Sequence, residues 1–428
     1  MVKTIIIILI LFFIQQKVDL KEVQVKDGFN GTLTQEFILS LGYNFESESI
    51  DLFGKNITSI APYAFSNFTK LQYLSIVFNF IGTITSEAFR GLKALESLEL
   101  NCSEIRTIEN NSFIDLNSLT FLSLQYNQIA GLNSSTFRGL NQLTILDLSD
   151  NQLTEIDENL FSTLNKLKIL NLSWNSILNL NSWDLFENNK ELEELDLSSN
   201  NLTSIDSYVF SGLAMLRALN LGFNKLTFVN PYQFANLTSL QFISLTHNEL
   251  SSVNPSEMFT SDQILEEIDL SANKIEIIEP YMVVGLTSLK RIDLSRNMLS
   301  RIDQFLFSNL TKLQYIGLNS NNISTLNSSL YFKNNQQLEE INLSSNQITS
   351  MDEDIFQNLK SLTILDLKYN KFQSIDFNII QGSSNIKTFC LLSDYFLLNF
   401  TLNLTGIKNI DVQDIIYSTC NYHYNPNF

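Results

Sequence analysis

One phrase, LxxLxLxxNxLxxIxxxxFxxL, recurs along this chain and limits what it can fold into. Its copies start at Leu71, Leu95, Leu119, Leu143, Leu167, Leu192, Leu216, Leu240, Leu265, Leu289, Leu313, Leu338 and Leu362. A weaker copy precedes them (Ile50, Leu52, Ile57, Ile60, Phe65), and a decaying one follows at Ile386. A unit of this length cannot bury its own leucines, so each copy must stack on its neighbours into one continuous core. Residues outside the consensus are thereby displaced to a surface, and function has to be sought among them.

Within each unit LxxLxL reads as a short strand of period two, with the fourth and sixth positions pointing inward. Successive strands pair in parallel, which requires the crossover that the second half of the unit supplies. The ninth position is Asn in twelve units: Asn79, Asn127, Asn151, Asn175, Asn200, Asn224, Asn248, Asn273, Asn297, Asn321, Asn346 and Asn370. A carboxamide both donates and accepts, so a buried stack of Asn satisfies backbone groups that leave the strand ladder. Ser103 interrupts the stack and Lys55 replaces it in the first unit. The nineteenth position is usually Phe, from Phe65 and Phe89 to Phe356; Phe186, Phe259 and Phe332 stand one place later. Those three belong to 25-residue units starting at Leu167, Leu240 and Leu313, whose extra residue falls in the outer turn and leaves the strand register intact.

The long units reveal a second period of 73 residues, and the unit after each opens almost identically: LEELDLSSN at 192, LEEIDLSAN at 265, LEEINLSSN at 338. This is a threefold duplication of a three-unit block over roughly 167 to 385. A ligand that itself repeats and a mere record of duplication both remain open.

The phrase, its 24-residue period and its Asn ladder resemble the leucine-rich repeat family, in the extracellular type of Toll-like receptor ectodomains and secreted insect and vertebrate proteins. The resemblance covers about residues 47 to 394. It implies an α/β solenoid, a horseshoe with a concave parallel β-sheet and short helices or turns on the convex side. It further implies fourteen repeats over 47–385, an N-terminal cap without cysteines over 19–46, and a degenerate repeat with a C-terminal cap over 386–428.

Residues 1–18 read as a signal peptide: Lys3 supplies a positive start, and the apolar run TIIIILILFFI is too short to span a bilayer. An uncleaved anchor is the alternative. With no later run of spanning length, the mature product is expected to be secreted, extracellular and not inserted in a membrane. It would then have no means of signalling by itself. Fifteen N-x-S/T sequons fit that route. Asn56, Asn67, Asn133, Asn201, Asn236, Asn309, Asn322 and Asn327 are the expected glycosylation sites, most on the convex side or its approaches. Asn101, Asn171 and Asn342 would face the concave side and obstruct a large partner there.

Extracellular relatives usually close both ends with disulfides. Here Cys390 and Cys420 lie in the degenerate C-terminal segment and are expected to pair, free thiols being the alternative. Cys102, at an eighth position, is left over and is either intermolecular, making a homo- or heterodimer, or an inert half-buried thiol.

The formal net charge of −18 argues against nucleic acid or anionic membrane as partners. Catalytic patterns are absent: the chain holds two histidines, His247 and His423, and no phosphate loop or nucleophile elbow. No metal or cofactor is expected. Aspartates at the fifth position (Asp147, Asp196, Asp269, Asp293, Asp366) read as solvated acids on a sheet surface.

What remains is the concave face, built from positions two, three, five, seven and eight. Its N-terminal half displays Tyr73, Phe78, Phe121, Tyr126 and Trp174, with Phe223 and Phe242 just beyond. At position eight these fall in every second unit, hence about 10 Å apart. Exposed aromatic rows are the anchors interfaces use, and these seven residues are the candidate ligand-binding site; half-buried packing is the competing explanation for position eight. The C-terminal half is charged, and in-register pairing sets Glu266 beside Lys290, Glu267 beside Arg291 and Glu193 beside Arg217. Glu339 and Glu340 face Thr363 and Ile364 and gain no such partner. The expected function is binding of a protein ligand, as in innate-immune recognition, a receptor-like decoy or adhesion. An inhibitor or carrier that wraps an enzyme or toxin, and a matrix protein, are the alternatives.

Overall fold

The computed structural model describes residues 31–253 and 264–372, and 375–391 without 376, 381, 382 and 384. Fifteen strands, one per coil from Ser49–Asp51 to Thr388–Cys390, pair in sequence order into a single parallel sheet. Each is three residues long, at positions three to five, and the registers run without a slip, as in Ile145↔Ile169↔Glu194. The strand ends where the sixth residue turns into the core, so the sheet is narrow and long. Leucine or isoleucine at positions one, four and six is buried in every unit from Leu71 to Leu362; Leu143, Leu146 and Leu148 are 0% exposed.

The Asn ladder works as its chemistry requires. Asn151 Nδ2 donates to the carbonyls of Leu124, Leu148 and Ser149, while its Oδ1 accepts from the Ile129 amide of the preceding coil (3.0 Å). At the break, Ser103 Oγ donates to Ile76 O, and the Ile81 amide goes to Ser103 O instead of a carboxamide. Asn127 Oδ1 takes two amides, those of Ser103 and Ile105. The buried phenylalanines stack coil on coil with centroids about 6 Å apart, as in Phe89–Phe113 (5.9 Å) and Phe332–Phe356 (5.9 Å). Phe186 and Phe332 join this spine despite their shifted positions; Phe259 lies outside the described residues.

The 25-residue units carry a device the sequence reading missed. Where other units bury Leu three residues past the Phe, two long units bury Asn189 and Asn335, both 0% exposed. Asn189 Nδ2 donates to the carbonyls of Phe161 and Leu164, and Asn335 to those of Phe307 and Leu310. A carboxamide in the core thus holds the enlarged turn to the coil before it.

The short helices expected on the outer side are mostly absent. Successive turns occupy it, with 3-10 helices at Pro231–Phe234, Pro280–Val283 and Phe377–Ile380. Two-residue strand pairs, such as Thr83–Ile84 with Thr107–Ile108, fill other places. Only about ten residues separate the ladder Asn from the Phe, and several are anchored in the core, too few free residues to nucleate an α-helix. The one α-helix among the described residues, Gln35–Ser40, lies near the N-terminus, capped by Thr34. There the strand Gly31–Leu33 pairs with Ile57–Ile60, and Leu33 and Ile38 close the core without a cysteine. The Tyr43 hydroxyl both donates to Asp51 O and accepts from Asp51 N, covering part of the sheet's first edge.

Candidate ligand-binding surface

The seven aromatic residues expected to form one face lie on two separate rows. Tyr73, Phe121 and Phe242 occupy position three, on the strands themselves, half-buried on the open side of the sheet. Phe78, Tyr126, Trp174 and Phe223 occupy position eight, beyond the strand ends. The assignment of position eight to the sheet face is therefore corrected: these residues line the rim where the chain leaves the sheet.

The backbone at that rim is unusual. Position eight has positive φ in every regular unit from Phe78 to Tyr369, between 51° and 57°, although none of the thirteen residues is glycine. The left-handed conformation brings side chain and carbonyl into conflict and costs roughly 1–2 kcal/mol per residue. It is retained because the same turn lets the position-eight amides from Phe78 to Ser345 donate to the next coil, as Tyr126 N does to Ser149 O (3.1 Å) and Trp174 N to Ser198 O (3.0 Å). No sequence signal marked it, since Asn, Asp and Gly do not dominate the position.

The rim side chains differ in their surroundings. Trp174 is 63% exposed and Phe223 52%. Phe223 stacks on His247 with centroids 4.1 Å apart, and Phe78 meets Phe53 edge-on at 5.0 Å. Cys102, Tyr126, Asp150 and Trp174, with the Gln128 and Gln152 side chains beyond the ladder, line a shallow depression of about 430 Å³. Cys102 is a free, half-buried thiol whose pKa is pushed up to about 11 by burial and by the Asp150 charge. The thiol is therefore held protonated at neutral pH. Burial and the Arg296 charge hold the His247 pKa below its ordinary value, and its Nδ1 lies 2.9 Å from Thr246 Oγ1.

On the sheet face, Tyr73 donates its hydroxyl to Glu99 (2.9 Å), and burial with that carboxylate pushes its pKa up to about 12. Tyr315 belongs to the same row and was overlooked as a functional residue. Arg291 Cζ sits 3.7 Å above its ring, and its hydroxyl reaches Asp293 Oδ2 (3.3 Å). Gly317 makes room for this, since a Cβ there would fall 2.6 Å from Asp293 Oδ1 and 2.8 Å from the Tyr315 hydroxyl.

The position-five aspartates are not solvated acids. Asp147 Oδ1 accepts from both the amide and the hydroxyl of Ser149, and Asp196, Asp269, Asp293 and Asp366 make the same turn-closing bond to the amide two residues on. Asn171 and Asn342 do likewise. Partial burial pushes the Asp147 carboxyl up to about 6, and burial plus the neighbouring Asp293 does the same for Asp269.

The charged pairs form where register placed them: Lys290–Glu266 and Arg291–Glu267, both 2.8 Å, and Arg217–Glu193, 3.3 Å. Lys168 adds a second cation to Glu193 at 3.0 Å. Glu340 faces Tyr315 and Ile364, and burial raises its pKa against the opposing pull of Arg291. Among the described residues no group of acids, His and Cys is placed to hold a metal ion, and no helix is long and apolar enough to cross a membrane.

Of the expected glycan acceptors, Asn67, Asn133, Asn236, Asn309, Asn322 and Asn327 are exposed, and Asn56 and Asn201 half-buried. The three sequons assigned to the strand side are different. Asn101 and Asn342 are buried, 3% and 2% exposed, and the Asn171 carboxamide is engaged by Ser173. They are not placed to carry glycans, so the expected obstruction is withdrawn. Cys390 is buried in the last strand, whereas Cys420 and residues 1–30 lie outside the described residues.

No curated protein matches the chain at significant similarity. Among solved structures, a Leptospira interrogans leucine-rich repeat protein superposes with a TM-score of 0.66 at 22% identity, covering 90% of this chain and 100% of that one. Toll in the Drosophila Toll–Spatzle complex gives 0.67 at 18% identity, covering 89% of this chain and 57% of that one. A plant peptide hormone receptor, RGFR1, in complex with RGF2, gives 0.60 at 23% identity over 87% and 62%. The family described as leucine rich repeat matches residues 69–129, 122–177 and 190–250, and the BspA-type leucine rich repeat region matches 252–387. With a parallel sheet of one strand per coil and an unbroken core beneath it, the chain belongs to the leucine-rich repeat proteins.

Proposed function

We propose that this chain is a secreted glycoprotein that binds a protein ligand through the strand side of its solenoid, with the aromatic rim as anchor. The observation that carries this is the rim itself. Large aromatic side chains stand at Tyr126, Trp174 and Phe223 on a backbone that would be less strained with glycine. Trp174 is left 63% exposed. The backbone strain is common to all thirteen position-eight residues, but the wet aromatic area of Trp174 and Phe223 is a cost that a packing role does not require, and exposed aromatics of this kind are the anchors interfaces use. The sequons favour the same face, because those that are accessible lie away from the strands and a glycan on them leaves the sheet clear. Two structural neighbours are seen in complexes, Toll with Spatzle and RGFR1 with RGF2. A comparable use in immune recognition, as a decoy or in adhesion is part of this proposal, and none of it calls for catalysis.

The test is capture of extracellular proteins on the purified chain, repeated with Trp174→Ala and Tyr126→Ala. A partner retained by the parent and lost by both variants, at unchanged melting temperature, supports the reading. A partner retained equally by all three overturns the rim as the anchor. Retention of the chain inside secreting cells, without glycans, overturns the secreted assignment.

A further inference from the structure

Most coils close their outer turn around a buried Phe, and three of those turns share more than the Phe. Tyr63, Tyr232 and Phe305 stand two residues before it. Asn67, Asn236 and Asn309, each opening an N-x-T sequon, stand two residues after it. Exposure follows one order in all three: the aromatic is exposed, the next two residues are buried, the Asn is exposed and its successor is buried. All three rings are more than half exposed. The turn geometry accounts for this order. Ser308 N donates to Phe305 O (3.0 Å) and Leu310 N to Phe307 O (3.0 Å), and the other two turns repeat both bonds. Bonds of that spacing wind the chain about once in three to four residues, so a residue and its fourth successor share a side. Where the first place holds Glu87, Ser135 or Asn159, the second holds Gly91, Gly139 or Thr163. Tyr208 and Tyr281 occur without a sequon, but no sequon occurs at this place without its aromatic.

A single exposed ring needs no explanation, and sequons arise by chance in a chain rich in Asn. Their coincidence four residues apart does need one. We propose that Asn309 and Asn67 carry N-linked glycans whose first N-acetylglucosamine lies flat on the Phe305 and Tyr63 rings, which pins each glycan to the outer turn. A β-linked N-acetylglucosamine keeps its hydroxyls at its edge and presents axial C–H groups on one face. That face suits the electron-rich face of an arene, and contact removes apolar area of both from water. The bond forms between Asn Nδ2 and the anomeric carbon of a lipid-diphosphate-linked oligosaccharide; the lipid diphosphate leaves and the carboxamide gives up one proton. Its second hydrogen stays, which is enough for the bond from Asn67 Nδ2 to Gln35 Oε1 (3.0 Å). Phe305 and Asn309 are the reference pair, because Tyr63 has a left-handed backbone with φ of 60° and Phe305 does not. The inference rests on the secreted-glycoprotein reading and says where two of its glycans lie.

The experiment uses the full chain, secreted from cells that keep glycans high in mannose and trimmed by an endoglycosidase to single N-acetylglucosamine residues. Glycopeptide mass spectrometry reads which sequons are occupied, and NMR reads the acetyl methyl signals, each assigned by its Asn→Gln variant. The signals on Asn309 and Asn67 are expected upfield, in the ring current, of those on Asn133 and Asn322. The fourth residues before these two, Ile129 and Leu318, are buried aliphatics. Phe305→Leu should remove the upfield shift at Asn309 alone, and Phe305→Trp should keep it. Phe305 is exposed, so both variants leave the core intact. Three results overturn the proposal and leave the glycoprotein reading standing: an unshifted Asn309 signal, a shift indifferent to Phe305→Leu, or bare Asn67 and Asn309 beside glycosylated Asn133 and Asn322. Glycan on none of the sequons overturns both.

Discussion

The two halves of the sheet are built on one coil and differ only in what it displays. Up to the unit at Leu216, position eight alternates aromatic with small or polar residues, and Trp174 and Phe223 stand out from the rim. From Leu240 onward the rim carries His247, Ala272, Arg296, Ser320 and Ser345, with a single exposed aromatic, Tyr369, at its end, and the emphasis moves to ion pairs on the face, Glu266–Lys290 and Glu267–Arg291. The fold is indifferent to this change, because both halves keep the Asn ladder and the buried Phe positions, with Val283 standing for Phe in the unit at Leu265. Conformation at position eight is equally constant: Trp174 has φ of 55° and Arg296 of 53°. Structure is thus held by the consensus positions, and the variable positions are free to differ.

The sharpest test of that division sets inward against outward residues on the same coils. Leu146→Ala and Leu170→Ala each open a cavity in the continuous core and should cost about 2–5 kcal/mol in denaturant unfolding. Trp174→Ala should change it by less than about 0.5 kcal/mol, as an exposed side chain does. If Trp174→Ala costs as much as the leucines, the rim is packing and the contrast fails.

Next in size is binding, where the halves should separate. Trp174→Ala and Tyr126→Ala should each weaken partner affinity by about 1–2 kcal/mol in a titration, as truncated anchors do. Glu339→Gln with Glu340→Gln should leave it unchanged. Loss only in the glutamate pair would move the anchor to the charged half.

A third comparison uses pH. The Asp147 carboxyl titrates at about 6 in the folded chain against an ordinary 3.8, so the folded state keeps the proton longer than the unfolded one. Its favourable contribution is whole below about pH 4 and lost as pH rises through 6. Asp147→Asn keeps the acceptor that Asn171 already uses at the same position. It should therefore be more stable than the parent at pH 7.5 by about 1–2 kcal/mol, with the difference vanishing below pH 4. Asp269→Asn should behave alike but with a difference that shrinks in about 1 M salt, since the Asp293 charge supplies part of its shift. A parent more stable than Asp147→Asn at pH 7.5 would contradict the burial of that carboxyl.

The smallest effect concerns the charged pairs. Glu266→Gln removes the exposed Lys290 contact and should cost about 0.2–1 kcal/mol. Arg291→Ala should cost more, because its guanidinium also covers Tyr315. Equal costs would mean that the stacking adds nothing to a simple pair.

The sequence by itself determined the coil. A period of 24 or 25 residues with leucines at fixed places leaves stacking as the only way to bury them, and register then follows. The spacing of Glu267 and Arg291 was enough to pair them, because in-register neighbours are simply one unit apart. Asn79 to Asn370 and the Phe spine were legible for the same reason, each repeated residue meeting its own copy. The tertiary structure decided what no single period encodes. The left-handed turn that carries Trp174 to the rim answers the demand of the next coil's carbonyl, whatever side chain is present. The Asp147 carboxyl is half-buried because Ser149 and the neighbouring strands close around it.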